Sequence, residues 1–170
     1  IRFTDSLPCL SACRVTKSLS LLSWAFNEEA AIFGFLARAQ SFMDSLGIEY
    51  EHILIDDGST DRTLEIAQAF AKKYPQLRVV ANGRNEGVGW ATRKAIGLAT
   101  KEVLFWQTVD WAYDISELKD HLRFLGTYDI VQGARPWSFR GRSDTFPKAL
   151  ISFANYFLIR ALFRIPLRDY

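Results

Sequence analysis

From Ser18 onward, short apolar runs alternate with longer stretches whose apolar residues recur at helical spacing. Ser18–Phe26 is a compact run bounded by charge, the form of a buried strand. Asn27, Glu28 and Glu29 then read as the cap of a helix that continues to about Leu46 and ends at Gly47. Tyr50–Ile55 reads as a second strand, and the helix after it, from about Thr60 to Tyr74, stops at Pro75. Leu77–Ala81 is a third strand, Asn82–Gly89 a glycine-bearing loop, Trp90–Ala99 a helix and Val103–Gln107 a fourth strand. A helix over Ile115–Leu125, a strand over Tyr128–Gly133, a basic loop over Gly133–Thr145 and a long helix from Pro147 to Phe163 complete the pattern. Strands that alternate with helices predict an α/β fold, with a mostly parallel sheet and right-handed crossovers.

The chemistry concentrates between His52 and Thr63. Ile53, Leu54 and Ile55 lead directly into Asp56 and Asp57, Gly58 permits a sharp turn, and Ser59, Thr60 and Asp61 suit a helix start. Adjacent acids after a buried strand need partners. In an open α/β sheet, ligands bind outside the carboxyl ends of the strands. Carboxylates there can accept from a base or a sugar, or approach a metal. The bland alternative is an Asx turn at Asp57 and a cap at Asp61.

Charge changes this picture only at the end of the chain. The 170 residues carry a net charge of +2. From Gly133 onward, Arg135, Arg140, Arg142, Lys148, Arg160, Arg164 and Arg168 face only Asp144 and Asp169. A basic, aromatic-rich end suits phosphates or an anionic membrane face. No nucleic-acid motif accompanies it, so nucleic acid is not an expected partner. Cys9 and Cys13 are the only cysteines, which excludes a disulfide framework and gives no zinc pattern; a reduced cytosolic setting fits. No stretch reaches the roughly 18 apolar residues of a membrane span. Ile1–Lys17 is aperiodic, without the form of a signal peptide, and is expected to be a flexible lead-in to a single domain over 18–170.

Four motifs occur in series: Ser23-Trp24-Ala25-Phe26-Asn27-Glu28-Glu29, Asp56-Asp57-Gly58-Ser59-Thr60-Asp61, Arg84-Asn85-Glu86-Gly87-Val88-Gly89, and a strand ending in Asp110. Behind them come Gly133-Ala134-Arg135 and a helix with Ser152, Asn155 and Arg160. In this order and spacing, over Ser18–Asp169, the chain resembles family 2 glycosyltransferases of the GT-A (Rossmann-like) fold. The likeness is to the branch, typified by dolichol-phosphate mannose synthase, that transfers a sugar to a polyprenyl phosphate. The resemblance implies that Ala25, Phe26, Asn27 and Glu28 line the base and ribose of a nucleotide sugar (UDP- or GDP-hexose). It implies that Asp56 or Asp57 hydrogen-bonds the base edge or ribose. Gly58, Asn85 and Gly87 would let backbone approach the nucleotide. Trp24 stands where the family usually has proline.

The family's metal-binding Asp-x-Asp falls on Thr108-Val109-Asp110, so Asp110 matches the second acid and Thr108 replaces the first. Mg²⁺ or Mn²⁺ on Asp110 alone, completed by diphosphate and water, is the weakened expectation. Asp114 is read as a helix cap, Arg93 and Lys94 as a solvated helix face, and His52 and His121 as structural. A lipid phosphate is already anionic and needs no general base, only positioning and charge screening. Arg135 and Arg142 are the candidates for clamping it and the departing diphosphate. The apolar helix ending at Phe163, flanked by cations, fits burial or an interfacial position at the cytoplasmic membrane face. In the family the chain continues past the equivalent of Asp169, so the C-terminus is expected to be incomplete. The expected activity is inverting transfer of a hexose to a polyprenyl phosphate. Transfer to a glycan or protein hydroxyl, which requires a base, and a non-catalytic nucleotide-sugar-binding domain stay open. A Rossmann dehydrogenase is disfavoured, because Gly-x-Gly-x-x-Gly is absent after the first strand.

Overall fold

The structure is a computed structural model. It describes residues 18–111, 114–125 and 127–132, and positions 151, 154 and 158. The lead-in segment, Arg135, Arg142, the basic loop and most of the last helix lie outside the described residues. The chain divides into two compact units, Ile1–Asp129 and Ile130–Tyr170. Of the second, Ile151, Ala154 and Leu158 are helical, and Ile130–Gln132 have no regular structure.

In the first unit, β1 (Ser18–Ala25), α1 (Ile32–Ser45), β2 (Glu49–Asp56), α2 (Thr63–Ala71), β3 (Leu77–Ala81), α3 (Val88–Leu98) and β4 (Val103–Trp106) alternate as the pattern predicts. A 3-10 turn at Ile115–Glu117 and a short helix, α4 (Leu118–Leu122), follow. The four strands are parallel, in the order β3-β2-β1-β4. The order reverses between β1 and β4, so the loops after these strands part and leave a crevice.

Strand alternation sorts the core into two layers. Leu19, Leu21, Ala25 and Leu54 pack beneath α1, α2 and α4, against Ile32, Phe35, Leu36, Met43, Ala67 and Leu118. Leu22, Ile53 and Ile55 face Ala91 and Ala95 of α3 on the other side. His52 is the polar exception in the middle of β2. It is fully buried, lies 3.0 Å from the Ser23 hydroxyl and edge-on to Phe35. Burial pushes its pKa down to about 3, so it is neutral and structural.

At the amino ends of the strands, Glu51 holds three segments together. One of its oxygens accepts from the Ser20 hydroxyl of β1 at 2.6 Å, and from the Thr100 backbone N–H at 2.6 Å and hydroxyl at 3.0 Å. Burial opposes its charge, but these donors and Lys101 hold its pKa below the usual glutamate value.

Two expectations need correction. No strand forms over 128–132: Thr127 and Tyr128 still donate to the Phe124 carbonyl, both at 2.9 Å, so the chain is completing a turn. Asn27, Glu28 and Glu29 do not cap α1 with their side chains. A backbone turn closes first, from Ala31 and Ile32 N–H to the Glu28 carbonyl, which moves the helix start to Ile32 and frees the Asn27 amide for the neighbouring loop.

Candidate active site

The loop after β1, on one side of that crevice, is laced to the loop after β2. Asn27 sits at φ 55°, a left-handed conformation that Asn tolerates. Its side-chain oxygen accepts from the Thr60 N–H at 2.8 Å, and its own N–H donates to the Ser59 hydroxyl at 3.0 Å. Glu28 N–H donates to the Thr63 hydroxyl at 2.8 Å, Glu29 N–H to Asp61 at 3.1 Å, and Arg62 N–H to Glu29 at 3.0 Å. Ser59 and Thr60 are therefore not N-caps of α2. They are held by Asn27 instead; the N-cap position falls on Arg62, which makes no side-chain cap, and Asp61 just before it accepts from the Thr63 N–H at 2.9 Å.

The adjacent acids divide their work. Asp57 is 5 % exposed. One of its oxygens accepts from the Asn82 amide at 2.8 Å and the Glu86 N–H at 3.1 Å; the other accepts from the Gly87 N–H at 2.8 Å. Burial opposes its charge, yet these donors and Lys94 hold its pKa below the ordinary aspartate value. Asp57 thus fixes the loop that carries Asn85 and Gly87. Asp56, 1 % exposed, accepts from the Ser59 N–H at 3.1 Å through one oxygen, and its buried Oδ1 has no protein partner. An orphaned buried carboxylate oxygen is costly unless something donates to it. At the carboxyl end of β2, a ligand N–H or hydroxyl would do so.

Gly58 takes φ 77° where the two loops meet. A Cβ there would lie 2.4 Å from the Arg84 carbonyl carbon and 2.6 Å from the Asn85 nitrogen. Gly87, at φ 87°, starts α3. Ala25 is buried at the end of β1, and Phe26 is 43 % exposed beside the crevice loops. Lys94 does not lie on a free helix face. Its ammonium donates to the Asn82 side chain at 2.6 Å and lends its charge to Asp57.

At the end of β4, Val109 is buried and Asp110 exposed, and the Thr108 hydroxyl donates to the Asp110 carboxylate. Among the described residues, no cluster of three or more His, Cys, Asp or Glu residues could hold an ion alone. The donor set of one carboxylate and one hydroxyl is hard oxygen. It fits Mg²⁺ or Mn²⁺ that arrives with phosphate oxygens and water completing the shell. Asp114 caps the 3-10 turn, accepting from the Ser116 N–H at 3.0 Å, as its position suggested.

The roles of three residues here escaped the sequence reading. Asn82 and Lys94 brace Asp57, and Trp111 follows Asp110 at φ 54°. Asn82, directly after β3, carried a usable signal, because a polar residue at that strand end faces the acids across the sheet. Nothing local in the sequence marks Trp111.

The chain is 30% identical over 120 residues to human (Homo sapiens) dolichyl-phosphate beta-glucosyltransferase, covering 65% of this chain and 37% of that one. It is 28% identical over 155 residues to a dodecaprenyl-phosphate galacturonate synthase of Rhizobium johnstonii, covering 89% and 45%. The chain therefore spans less than half the length of either relative. The fold matches that of the mannosyltransferase PcManGT from Pyrobaculum calidifontis, solved with GDP-Man and Mn²⁺, at a TM-score of 0.54 and 19% identity, over 72% of this chain and 34% of that one. The likeness to that structure is one of fold, and it agrees with the GT-A architecture read from the motifs. The family model described as "Glycosyl transferase family 2" matches residues 20–169, which takes in both laced loops, the acids after β2 and Asp110, and the chain belongs to that family.

Proposed function

We propose that this chain carries the donor site of an inverting glycosyltransferase that moves a hexose from a nucleotide sugar to a polyprenyl phosphate. The observation that carries the reading is the buried Asp56 Oδ1, an acceptor with no protein partner at the carboxyl end of β2. A nucleobase N–H or a ribose hydroxyl supplies the missing donor. Phe26 offers an exposed apolar ring beside it, and Asn85 and Gly87 lie on the loop that Asp57 fixes. The polyprenyl-phosphate acceptor is supported by the names of the two relatives, a dolichyl-phosphate glucosyltransferase and a dodecaprenyl-phosphate galacturonate synthase. The donor and a divalent ion are supported by the GDP-Man and Mn²⁺ of the structural neighbour.

In this reading Ala25, Phe26, Asn27, Glu28, Asp56 and Gly58 bind the nucleoside, and Asp110 with Thr108 faces the diphosphate. A Mg²⁺ or Mn²⁺ ion, when bound at Asp110, offsets the charge of the departing nucleoside diphosphate. Arg135 and Arg142 are proposed for the acceptor phosphate, whose oxygen attacks the anomeric carbon without a general base. The acceptor is a lipid, so the proposed working place is a membrane face, read here as the cytoplasmic one. Among the described residues no helix is long and apolar enough to cross a membrane.

Calorimetric titration with UDP, GDP and their hexose conjugates, with and without Mn²⁺, tests the donor site. One nucleotide should bind, and Asp56→Ala should weaken it about tenfold or more, the loss of a hydrogen bond to a charged group. Sugar transfer to polyprenyl phosphate in vesicles tests the acceptor. A folded protein that binds no nucleotide sinks the proposal.

A further inference from the structure

Among the described residues, only Asn27 and Trp111 are non-glycine residues with positive φ. They follow β1 and β4, the two strands that flank the reversal of strand order. Asn27 is explained by its residue type and its bonds to Thr60. Trp111 is not, because a bulky side chain in this conformation is an outlier held there by its surroundings. The surroundings are specific. Its ring lies 5.1 Å from Phe35, a core residue, and the Arg38 guanidinium sits 4.3 Å from the ring centroid. Phe35 and Arg38 are three apart on α1 and share a face. Arg38 also approaches Asp114 at 3.8 Å. The Trp111 N–H donates to the Thr108 carbonyl at 3.2 Å, which closes the turn.

Asp110 is thus an exposed acid between two anchored neighbours, Val109 in the core and Trp111 in the stack, with the Thr108 hydroxyl on its carboxylate. A site with one carboxylate where a pair is usual depends more on the aim of that one group. We propose that Trp111, held by Phe35 and Arg38, is a positioning residue that aims Asp110 at a phosphate-bound divalent cation. This rests on the proposed donor site. The strained turn is the cost of presenting the acid already oriented, so that the ligand need not order it.

The test compares Trp111→Ala, Trp111→Phe and Arg38→Gln with the unsubstituted protein. Each is titrated calorimetrically with UDP and GDP, with and without Mn²⁺, and melted alongside. The Mn²⁺-dependent part of the affinity should fall about 10–100-fold in Trp111→Ala, the range seen when supports of metal ligands are removed. Trp111→Phe, which keeps a ring for Arg38, should recover most of it, Arg38→Gln should show a smaller fall, and Mn²⁺-free affinity should stay unchanged. Equal losses with and without Mn²⁺, or no loss in a folded Trp111→Ala, would overturn the positioning role. If Trp111→Ala does not fold, Arg38→Gln decides, because its guanidinium is exposed, and unchanged Mn²⁺ dependence there overturns the role. No nucleotide binding by the unsubstituted protein overturns the proposed function, and this inference with it.

Discussion

Replacing Gly58 with alanine should damage fold and site together. The residue sits at φ 77°, where a Cβ costs about 1–2 kcal/mol from backbone sterics alone. The new carbon would also stand 2.4–2.7 Å from three backbone atoms of Arg84 and Asn85. Ordinary carbon contacts lie at about 3.5–4.0 Å, so that backbone must retreat by roughly 1 Å. Retreat stretches the bonds from Glu86 and Gly87 N–H to Asp57, now 3.1 and 2.8 Å. Hydrogen bonds to a charged group contribute about 1.5–3 kcal/mol each. If half of that pair is lost, the total is about 3–5 kcal/mol, a large share of the roughly 5–15 kcal/mol of a typical domain. Urea unfolding followed by tryptophan fluorescence reads it. With a slope of about 2 kcal/mol per molar, the midpoint should fall by about 2 M. Gly87→Ala is the control: it has φ 87° and ψ 163°, a region that essentially only glycine occupies, but nothing within 4 Å of the added carbon, so only backbone strain of about 1–3 kcal/mol should appear. If the two variants lose equal stability, the close approach of the Arg84–Asn85 backbone is not what requires glycine at 58.

The buried acid and the buried histidine both make acid destabilising. Asp57 titrates below its unfolded value when folded, so its contribution is intact above about pH 4 and is lost as pH falls through the folded pKa. Asp57→Asn should be less stable at pH 7 and show a flatter acid limb in denaturation at stepped pH. His52 stays neutral in the fold down to about pH 3, so the unfolded chain alone takes up its proton below about pH 6.5. His52→Leu should therefore remove about 1.4 kcal/mol per pH unit from the slope of stability between about pH 4 and 6, and an unchanged slope refutes the assignment. Thr108→Asp restores a second carboxylate beside Asp110 and should tighten Mn²⁺-dependent nucleotide binding by about tenfold, or 1.4 kcal/mol; weaker binding would mean that the hydroxyl is needed to hold Asp110.

The regular elements were legible because burial and periodicity are local signals. Leu77–Ala81 and the strand entering Asp56 were visible as apolar runs, and the crossover helices as stripes closed by Gly47 and Pro75. The loops were legible in residue type but not in use. Asn, Ser and Thr favour capping, and here the same groups bond across to another loop because that loop lies within 3 Å, a fact of tertiary structure. For the same reason the sequence left Asp56 and Asp57 interchangeable, whereas the structure engages both oxygens of Asp57 and leaves one of Asp56 without a protein partner. The Trp111 stack depends on α1, some seventy residues earlier, and no pattern around Asp110 contains it.

Glu51 lies at the far end of the sheet from all of this. By joining β1, β2 and the approach to β4 at their amino ends, it fixes strand register without using any residue of the crevice. Strand register at this end is therefore set apart from the site loops, even though Gly58 and Asp57 give those loops a share in stability as well. Changes in the loops after Ala25, Asp56 or Trp106 leave this clamp untouched, so those loops can vary while the strands keep their alignment.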